Sequence, residues 1–329
     1  MPRAVALLSG GLDSMLAVRI VQQQGFTVAA LNIRTVFECC RNDAARAADL
    51  LGIPLTVLSL GDDYLQIIRR PRFGYGRGMN PCIDCRIAMC QAARRLLDDS
   101  QAQVVITGEV LGQRPMSQKR QDLATIAKHS GLPGRLLRPL SAQLLPPTIV
   151  EQEGLIDRAG LHGFHGTGRS GLIALARRLG IPEAPAASHG CALTESSVAA
   201  RLRDLFRHRP RATRWDLALA RRGRHYRYSD STKIVLARDA GESAWLEDLF
   251  RQPDATPSAL LDPANFPGPA ALVVGDSGDA ALQFAGALIL LRARRYDPAD
   301  AQVRLVQAGR AELIRVAPQE AARAALTVQ

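Results

Sequence analysis

At 329 residues, with 47% hydrophobic and 22% charged side chains, the chain is long enough for two or three domains with real cores, which excludes a disordered or fibrous protein. Aromatic residues make up only 5%, so a function resting on a broad aromatic surface is disfavoured. The net charge is +11, and the cations are 39 arginines against 3 lysines; guanidinium forks match phosphate geometry, so a polyanionic partner is expected.

Met1-Pro2-Arg3 leads into about five apolar residues, Ala4 to Leu8, short of the roughly 7–15 of a secretory h-region. The most apolar later stretch, Ala280 to Leu291, falls short of the ~20 residues of a membrane span. A cytoplasmic protein without membrane association is expected. In that reducing setting, six cysteines suit metal binding or redox chemistry better than a disulfide framework.

In chain order, the apolar pattern predicts a strand over 3–8, a helix from about Ser14 to Gln24, a strand at Thr27–Ile33, a helix at Asp43–Leu51 and a strand at Leu55–Leu60. A helical stretch at Ile83–Leu97 and a strand at Val104–Thr107 follow. Near-continuous apolar strands alternating with helices give an α/β fold, a parallel sheet with helices on both faces, over a first domain at 1–145. Beyond Leu136 the pattern breaks at Pro139 and Pro146-Pro147, and a glycine-rich loop spans 162–168. Helices at about Ser170–Leu179 and Ser196–Arg207 make a helical extension over 146–209. A smaller α+β domain is expected over 210–329, with strands at Trp215–Ala220, His225–Ser229, Lys233–Ala237 and Ala271–Val274 and helices around Glu242–Phe250 and Ala280–Arg294.

Ser9-Gly10-Gly11-Leu12-Asp13-Ser14 lies between the first strand and helix, at the carboxyl edge of the sheet where ligands bind in such folds. Two glycines let the backbone approach an anion, the helix N-terminus adds partial positive charge, and Ser9 and Ser14 add hydroxyl donors. No Gly-Lys-Ser/Thr closes the loop, so it is not a Walker A motif. A grip on pyrophosphate without a terminal-phosphate lysine suits cleavage between the α and β phosphates, with Asp13 holding Mg2+ or orienting the phosphates. The loop resembles the Ser-Gly-Gly-x-Asp-Ser signature of the PP-loop ATP pyrophosphatases, which implies adenylation of a carbonyl or carboxyl oxygen with ATP. By that resemblance, Ser9, Gly10, Gly11, Asp13, Ser14, Gly108 and the strand-end residues Asn32 and Arg34 are candidate ATP contacts.

A second informative segment, Gly74 to Arg86, delivers Pro81 and then Cys82-x-x-Cys85 at the start of a helix. Two thiols so spaced can face one metal, and a helix N-terminus is expected to lower their pKa. Alone, the pair is open between zinc, an iron–sulfur cluster and a redox couple. Cys191, 106 residues after Cys85 and preceded by Gly190, is the candidate third ligand. Three cysteines suit a [4Fe–4S] cluster with one iron open to a non-protein ligand, whereas a closed zinc site takes four. Cys90 points roughly 140° around the helix from Cys85 and is read as a core thiol. Cys39 and Cys40 are read as apolar packing before a helix.

A PP-loop followed by Asn80-Pro81-Cys82-x-x-Cys85 and a distant Gly190-Cys191 resembles the iron–sulfur-dependent tRNA thiolation enzymes. Thr107 to Gln118 and Leu137-Arg138-Pro139-Leu140 match the same pattern. More closely, the chain is similar to thiouridylases of the MnmA/TrmU type that carry an NFACT-R-like RNA-binding region at the C-terminus, the last part resting on Gly223 to Ser229 and the residues to Glu242. One departure is that 2-thiouridylases place their second cysteine in a segment without this Gly-Cys context.

The resemblance implies an ATP-dependent tRNA sulfurtransferase. A uridine carbonyl oxygen is adenylated, and sulfur held at Cys82, Cys85 and Cys191 displaces AMP. The catalytic residues are then Asp13 and these three cysteines, which also hold the cluster. The sulfur donor is free sulfide or a cysteine-desulfurase product. A persulfide relay without a cluster, and a PP-loop enzyme acting on a small molecule, are the alternatives. The RNA contact is expected within residues 201–227, which hold ten arginines against two aspartates, with Trp215, Tyr226 and Tyr228 placed to stack bases. Arg201, Arg203, Arg207, Arg224 and Arg227 are the candidate tRNA contacts.

Overall fold

The computed structural model describes residues 1–37, 43–181, 191–256 and 258–328, which form two compact units, Met1–Cys191 and Ala192–Gln329. Residues 146–191 therefore fall within the first unit and 192–209 within the second.

In the first unit, strands β1 (Arg3–Leu7), β2 (Thr27–Arg34) and β3 (Leu55–Ser59) alternate with helices α1 (Leu12–Gln23) and α2 (Asp43–Leu51). Helices α3 (Asp63–Arg69) and α4 (Cys82–Asp99) precede β4 (Val104–Thr107), and α5 (Arg120–His129) leads to the two-residue β5 (Leu136–Leu137). The short α6 (Ile149–Gln152) and then α7 (Ser170–Arg178) follow. All five strands are parallel, in the order β3-β2-β1-β4-β5, with Ala6 opposite both Ala30 and Ile106. Alternation along β1 sets the two helical layers. Ala4 and Ala6 pack with Leu16, Val18, Ala47 and Leu175 of α1, α2 and α7, whereas Val5 packs with Ile87, Ala93 and Leu97 of α4 and Ile126 of α5. Both faces are covered, as the apolar runs require.

In the second unit, α8 (Ser196–His208) and α9 (Arg214–Leu219) precede a sheet built from β6 (Arg224–Arg227), β7 (Thr232–Leu236), β8 (Ser258–Pro263) and β9 (Ala271–Gly275), with α10 (Ala240–Phe250) inserted. Helix α11 (Asp279–Leu290), the hairpin β10 (Gln302–Gln307) and β11 (Arg310–Arg315), and α12 (Glu320–Ala324) complete it. The sheet is antiparallel, in the order β11-β10-β8-β9-β7-β6. Ile234 and Leu236 of β7 pack on α11, and Val235 packs toward Trp215, Leu246 and Leu249 of α9 and α10.

The strand expected at Trp215–Ala220 is a helix. Thr213 and Asp216 form a reciprocal capping box: the Thr213 hydroxyl accepts from the Asp216 amide, and the Asp216 carboxylate accepts from the Thr213 amide at 2.7 Å. That local satisfaction of backbone donors outweighs the alternating pattern of Trp215, Leu217 and Leu219. Among the described residues no helix is long and apolar enough to cross a membrane.

Candidate active site

The glycine loop leaves β1 at Leu8 and enters α1 at Leu12. Gly10 has φ +82°, and a Cβ there would stand 2.3 Å from the Asp43 carbonyl carbon, so only glycine lets the loop pass this close to the start of α2. The loop is held from within: Gly11 N–H donates to Ser9 Oγ at 3.3 Å, Ser14 Oγ donates to the Gly11 carbonyl at 2.8 Å, and the two serine hydroxyls are 3.3 Å apart. Gly11 caps α1 without a side-chain hydrogen bond, so the first-turn amides of a 12-residue helix receive no cap from that side chain. Asp13 sits in that turn. Its Oδ2 accepts from Gln113 Nε2 at 3.0 Å, whereas its buried Oδ1 has no hydrogen-bond partner. A buried carboxylate oxygen left without a hydrogen bond is a hard donor of the kind Mg2+ takes.

Asn32 and Arg34 separate in role. The Asn32 side-chain amide donates to the Leu8 carbonyl at 2.8 Å and so ties β2 to the root of the loop, while Arg34 is exposed at the end of β2 opposite Ser59. Gly108 follows β4, and a Cβ there would meet the Asp13 carbonyl carbon and the Ser14 nitrogen at 2.4 Å. Its place in the site is thus steric, a backbone pressed against the loop.

The next residues connect this loop to the cysteine helix, a link the sequence reading missed. Glu109 is buried (3% exposed), accepts from Arg138 Nε at 2.9 Å and from Thr107 Oγ1 at 3.2 Å, and stands 3.7 Å from Arg86 Nε of α4. Burial opposes its charge, but Arg138 and Arg86 outweigh burial and hold the carboxyl below its ordinary value. Arg86 loses water too, yet Glu109 and the neighbouring thiols keep its guanidinium above the usual value. Arg138 also donates to the Leu123 carbonyl at 3.1 Å. The signal lay in Leu136-Leu137-Arg138-Pro139-Leu140, where an arginine in an apolar run demands a buried partner.

Helix α4 begins with Cys82 after Pro81 at the cap. The preceding glycine-rich loop folds back on this turn, with Asp84 accepting from the Arg72 and Phe73 amides at 2.9 and 3.0 Å. Cys82 and Cys85 are both half-buried; Cys82 Sγ donates to Asn80 Oδ1 at 3.1 Å, and Cys85 Sγ lies 3.3 Å from the Tyr64 hydroxyl. The thiol pKa expected to fall at this helix start instead rises for Cys82, because burial exceeds the pull of Arg86 and Arg114. Cys90 is buried in the core with Val5, Leu31 and Ile33, and burial pushes its thiol up to about 12, which suits packing and not ligation.

Cys191 is half-buried and immediately precedes a short 3-10 turn at Ala192–Thr194. Among the described residues no three His, Cys, Asp or Glu side chains stand together closely enough to hold a metal ion, so the three-thiol set is not assembled there. Two of its members, Cys82 and Cys85, share one helix start beside Arg86, with their Sγ atoms directed to Asn80 Oδ1 and the Tyr64 hydroxyl. Gly190, Cys39 and Cys40 lie outside the described residues.

Residues 2–143 match the family described as thiamine biosynthesis protein (ThiI), and residues 223–325 match the NFACT protein RNA binding domain. The chain resembles PP-loop tRNA thiolation enzymes. It is 28% identical over 199 residues to a tRNA-specific 2-thiouridylase MnmA of Azorhizobium caulinodans, covering 55% of this chain and 48% of that one. It is 35% identical over 96 residues to the corresponding Acidithiobacillus ferrooxidans protein, covering 25% and 26%. A crystal structure of a 4-thiouridine synthetase–RNA complex with bound ATP shares 20% identity at a TM-score of 0.35, covering 55% and 52%. The chain spans about half the length, or less, of the curated relatives it matches.

In the second unit the arginine-rich stretch is not a uniform basic face. Arg203 and Arg207 are exposed on α8, and Arg201 and Arg224 are half-buried. Arg227 is committed to Asp204, with Nε and Nη2 donating at 3.0 and 2.6 Å; the same carboxylate pairs with Lys233 at 3.0 Å. The expected stacking role of Trp215 and Tyr226 is overturned. Trp215 is 1% exposed with its indole N–H on the Leu249 carbonyl, and Tyr226 is in the core; only Tyr228 is exposed.

Two substitutions test this geometry. Gly108→Ala drives a methyl into the Asp13–Ser14 backbone and should cost about 1–3 kcal/mol while weakening ATP binding; unchanged melting and ATP titration would show the contact to be unimportant. Glu109→Gln keeps the shape but strands Arg138, at a cost of about 3–5 kcal/mol near neutral pH. Because Glu109 titrates below its ordinary value when folded, its contribution is complete above that ordinary value and is lost as pH falls through the lowered one. Wild-type and variant melting temperatures should therefore differ at pH 7 and converge in acid, and equal values at pH 7 would contradict the buried ion pair.

Proposed function

We propose that the protein is an ATP-dependent tRNA sulfurtransferase that adenylates a uridine carbonyl oxygen and replaces it with sulfur. The observation that carries this reading is the junction at the end of β4. Gly108 presses on the ATP loop, and the adjacent Glu109 faces Arg86, one residue beyond Cys85. A nucleotide-activating loop and a thiol pair are thus braced by one short segment. The ThiI match over residues 2–143 and the thiouridylase relatives support the same chemistry.

ATP would lie along residues 9–14, with α1 amides and the serine hydroxyls on its phosphates and Asp13 holding Mg2+. The carbonyl oxygen attacks the α-phosphorus and pyrophosphate leaves. Sulfur then adds to the activated carbon, the C–O bond breaks, and AMP carries the oxygen away. Adenylation is needed because oxygen is a poor leaving group from an amide-like carbon, and holding both reactants in one site supplies proximity. Arg86 and Arg114 place positive charge beside Cys82, which favours its thiolate once sulfur transfer begins.

Cys82, Cys85 and Cys191 would be the ligands of a [4Fe–4S] cluster, which would supply sulfide-level sulfur for the displacement of AMP. The alternative is a relay in which one cysteine takes sulfane sulfur from a cysteine-desulfurase persulfide, the activated carbon receives that sulfur, and a second thiol resolves the carrier, leaving a disulfide for an external thiol to reduce. The tRNA would be gripped by the second unit, which matches an RNA-binding domain and carries the arginine-rich α8. The sulfur source would be free sulfide or a cysteine-desulfurase product, and the setting would be the cytoplasm.

Incubation with tRNA, ATP and sulfide should give tRNA-stimulated AMP release with a matching yield of thionucleoside, lost in Asp13→Ala and in Cys82→Ala. Iron and sulfide analysis after anaerobic purification separates the sulfur routes: a brown protein bleached by Cys191→Ala supports the cluster, while thiolation by an iron-free protein that needs a cysteine desulfurase with cysteine, and fails with sulfide alone, supports the relay. AMP release that ignores tRNA, with no thionucleoside formed, would overturn the assignment.

A further inference from the structure

The second unit contains a cavity of about 370 Å³ whose lining differs from the arginine-rich helix face in both origin and chemistry. Four arginines from four different segments reach it: Arg201 from α8, Arg224 from the start of β6, Arg238 just after β7, and Arg292 just after α11. Ser196 and Ser197, the first two residues of the 13-residue helix α8, complete the polar wall. Convergence of guanidinium groups from dispersed positions requires the fold, and a local run of basic residues does not produce it.

Charge in this cavity is poorly balanced. Arg238 is neutralised by Glu242, which accepts from its Nε at 2.9 Å and from its backbone amide at 2.9 Å. No carboxylate lies within ion-pair distance of Arg201, Arg224 or Arg292 among the described residues. Arg201 and Arg224 make only long contacts, each at 3.4 Å, to the Ala220 and Ala237 carbonyls. Arg201 Nε is buried and has no hydrogen-bond partner. Burial and the charge of Arg238 depress the Arg201 guanidinium below its usual value, against the smaller opposing pull of Glu242 and Glu195. Arg238 and Arg292 are exposed at the rim, whereas Arg201 and Arg224 are half-buried with Arg201 Nε out of solvent, so an oxyanion that reaches Arg201 relieves both its missing hydrogen bond and the repulsion from Arg238.

The chemistry of the missing partner follows from the donors. Forked guanidiniums and hydroxyls at a helix start suit a tetrahedral oxyanion, and three unneutralised cations exceed what one carboxylate balances. The volume lies within the range of small-ligand pockets, so it leaves room for a group attached to the anion. The cavity also lies in the unit whose residues 223–325 match an RNA-binding domain.

We propose that this cavity is an RNA phosphate anchor, seating one phosphate with its attached nucleoside between Arg201, Arg224, Arg238 and Arg292. This rests on the reading of the second unit as the tRNA-binding part, and it relocates the principal contact. Arg238 and Arg292 lie outside the arginine-rich stretch, whereas Arg227 inside it is consumed by Asp204. Arg203 and Arg207 do not line the cavity. They would contribute only diffuse attraction.

The test compares tRNA affinity by fluorescence anisotropy for the full chain and two double variants of equal charge. Arg201→Gln with Arg292→Gln should weaken binding about tenfold or more and lower the salt slope by about 2. Arg203→Gln with Arg207→Gln should weaken it by less than about threefold. Equal losses in the two variants, or none in the first, would overturn the anchor. Wild-type protein supplies a measurement independent of variant folding. At fixed ionic strength, uridine 5′-monophosphate should raise the melting temperature and compete with tRNA while uridine does neither, and equal behaviour of the two would also overturn it. A wild type that fails to bind tRNA, yet is stabilised by the nucleotide and not the nucleoside, would refute the tRNA reading and support a phosphate site.

Discussion

The buried carboxylate of Glu109 is the interaction on which the proposed chemistry depends. It lies between Arg138 and Arg86, and a single anion so placed fixes α4 against the end of β4. Its neighbour Gly108 leaves no space between β4 and the first turn of α1. Together they set the position of Cys82 and Cys85 relative to the phosphate loop without help from any substrate. A buried ion pair of this kind is a costly way to gain stability, since an apolar replacement of similar volume is often at least as stable. Here it also ties the start of the cysteine helix to the end of β4.

The same electrostatics explain the state of the thiols. Burial raises Cys82 against the pull of Arg86 and Arg114, and Cys90 is pushed up to about 12. Cys82 is therefore held toward its thiol form by its surroundings. Asp13 presents the complementary case, a carboxylate whose Oδ1 lacks a hydrogen bond and which gains most when a cation arrives.

Much of the first unit was legible because its elements are locally consistent. Apolar strands, a glycine loop and amphipathic helices alternate, and parallel pairing follows from that order. The second unit was harder to read. Thr213 and Asp216 turned an apparent strand into a helix, and Trp215 and Tyr226 went into the core because the sheet needed their volume. The phosphate loop was visible as a motif, yet Gly108 proved to be a steric neighbour and Asn32 a tie to the Leu8 carbonyl. Glu109, Arg138 and the four-arginine cavity depend on residues distant in sequence, and no local pattern reports their meeting.

The central claim is that ATP activates a nucleoside oxygen for replacement by sulfur. The most direct measurement uses tRNA carrying 18O at the uridine carbonyls and follows the label during thiolation. One 18O atom is expected in AMP for each thionucleoside formed, and none in pyrophosphate. Label in pyrophosphate, or thionucleoside formed with unlabelled AMP, would contradict it.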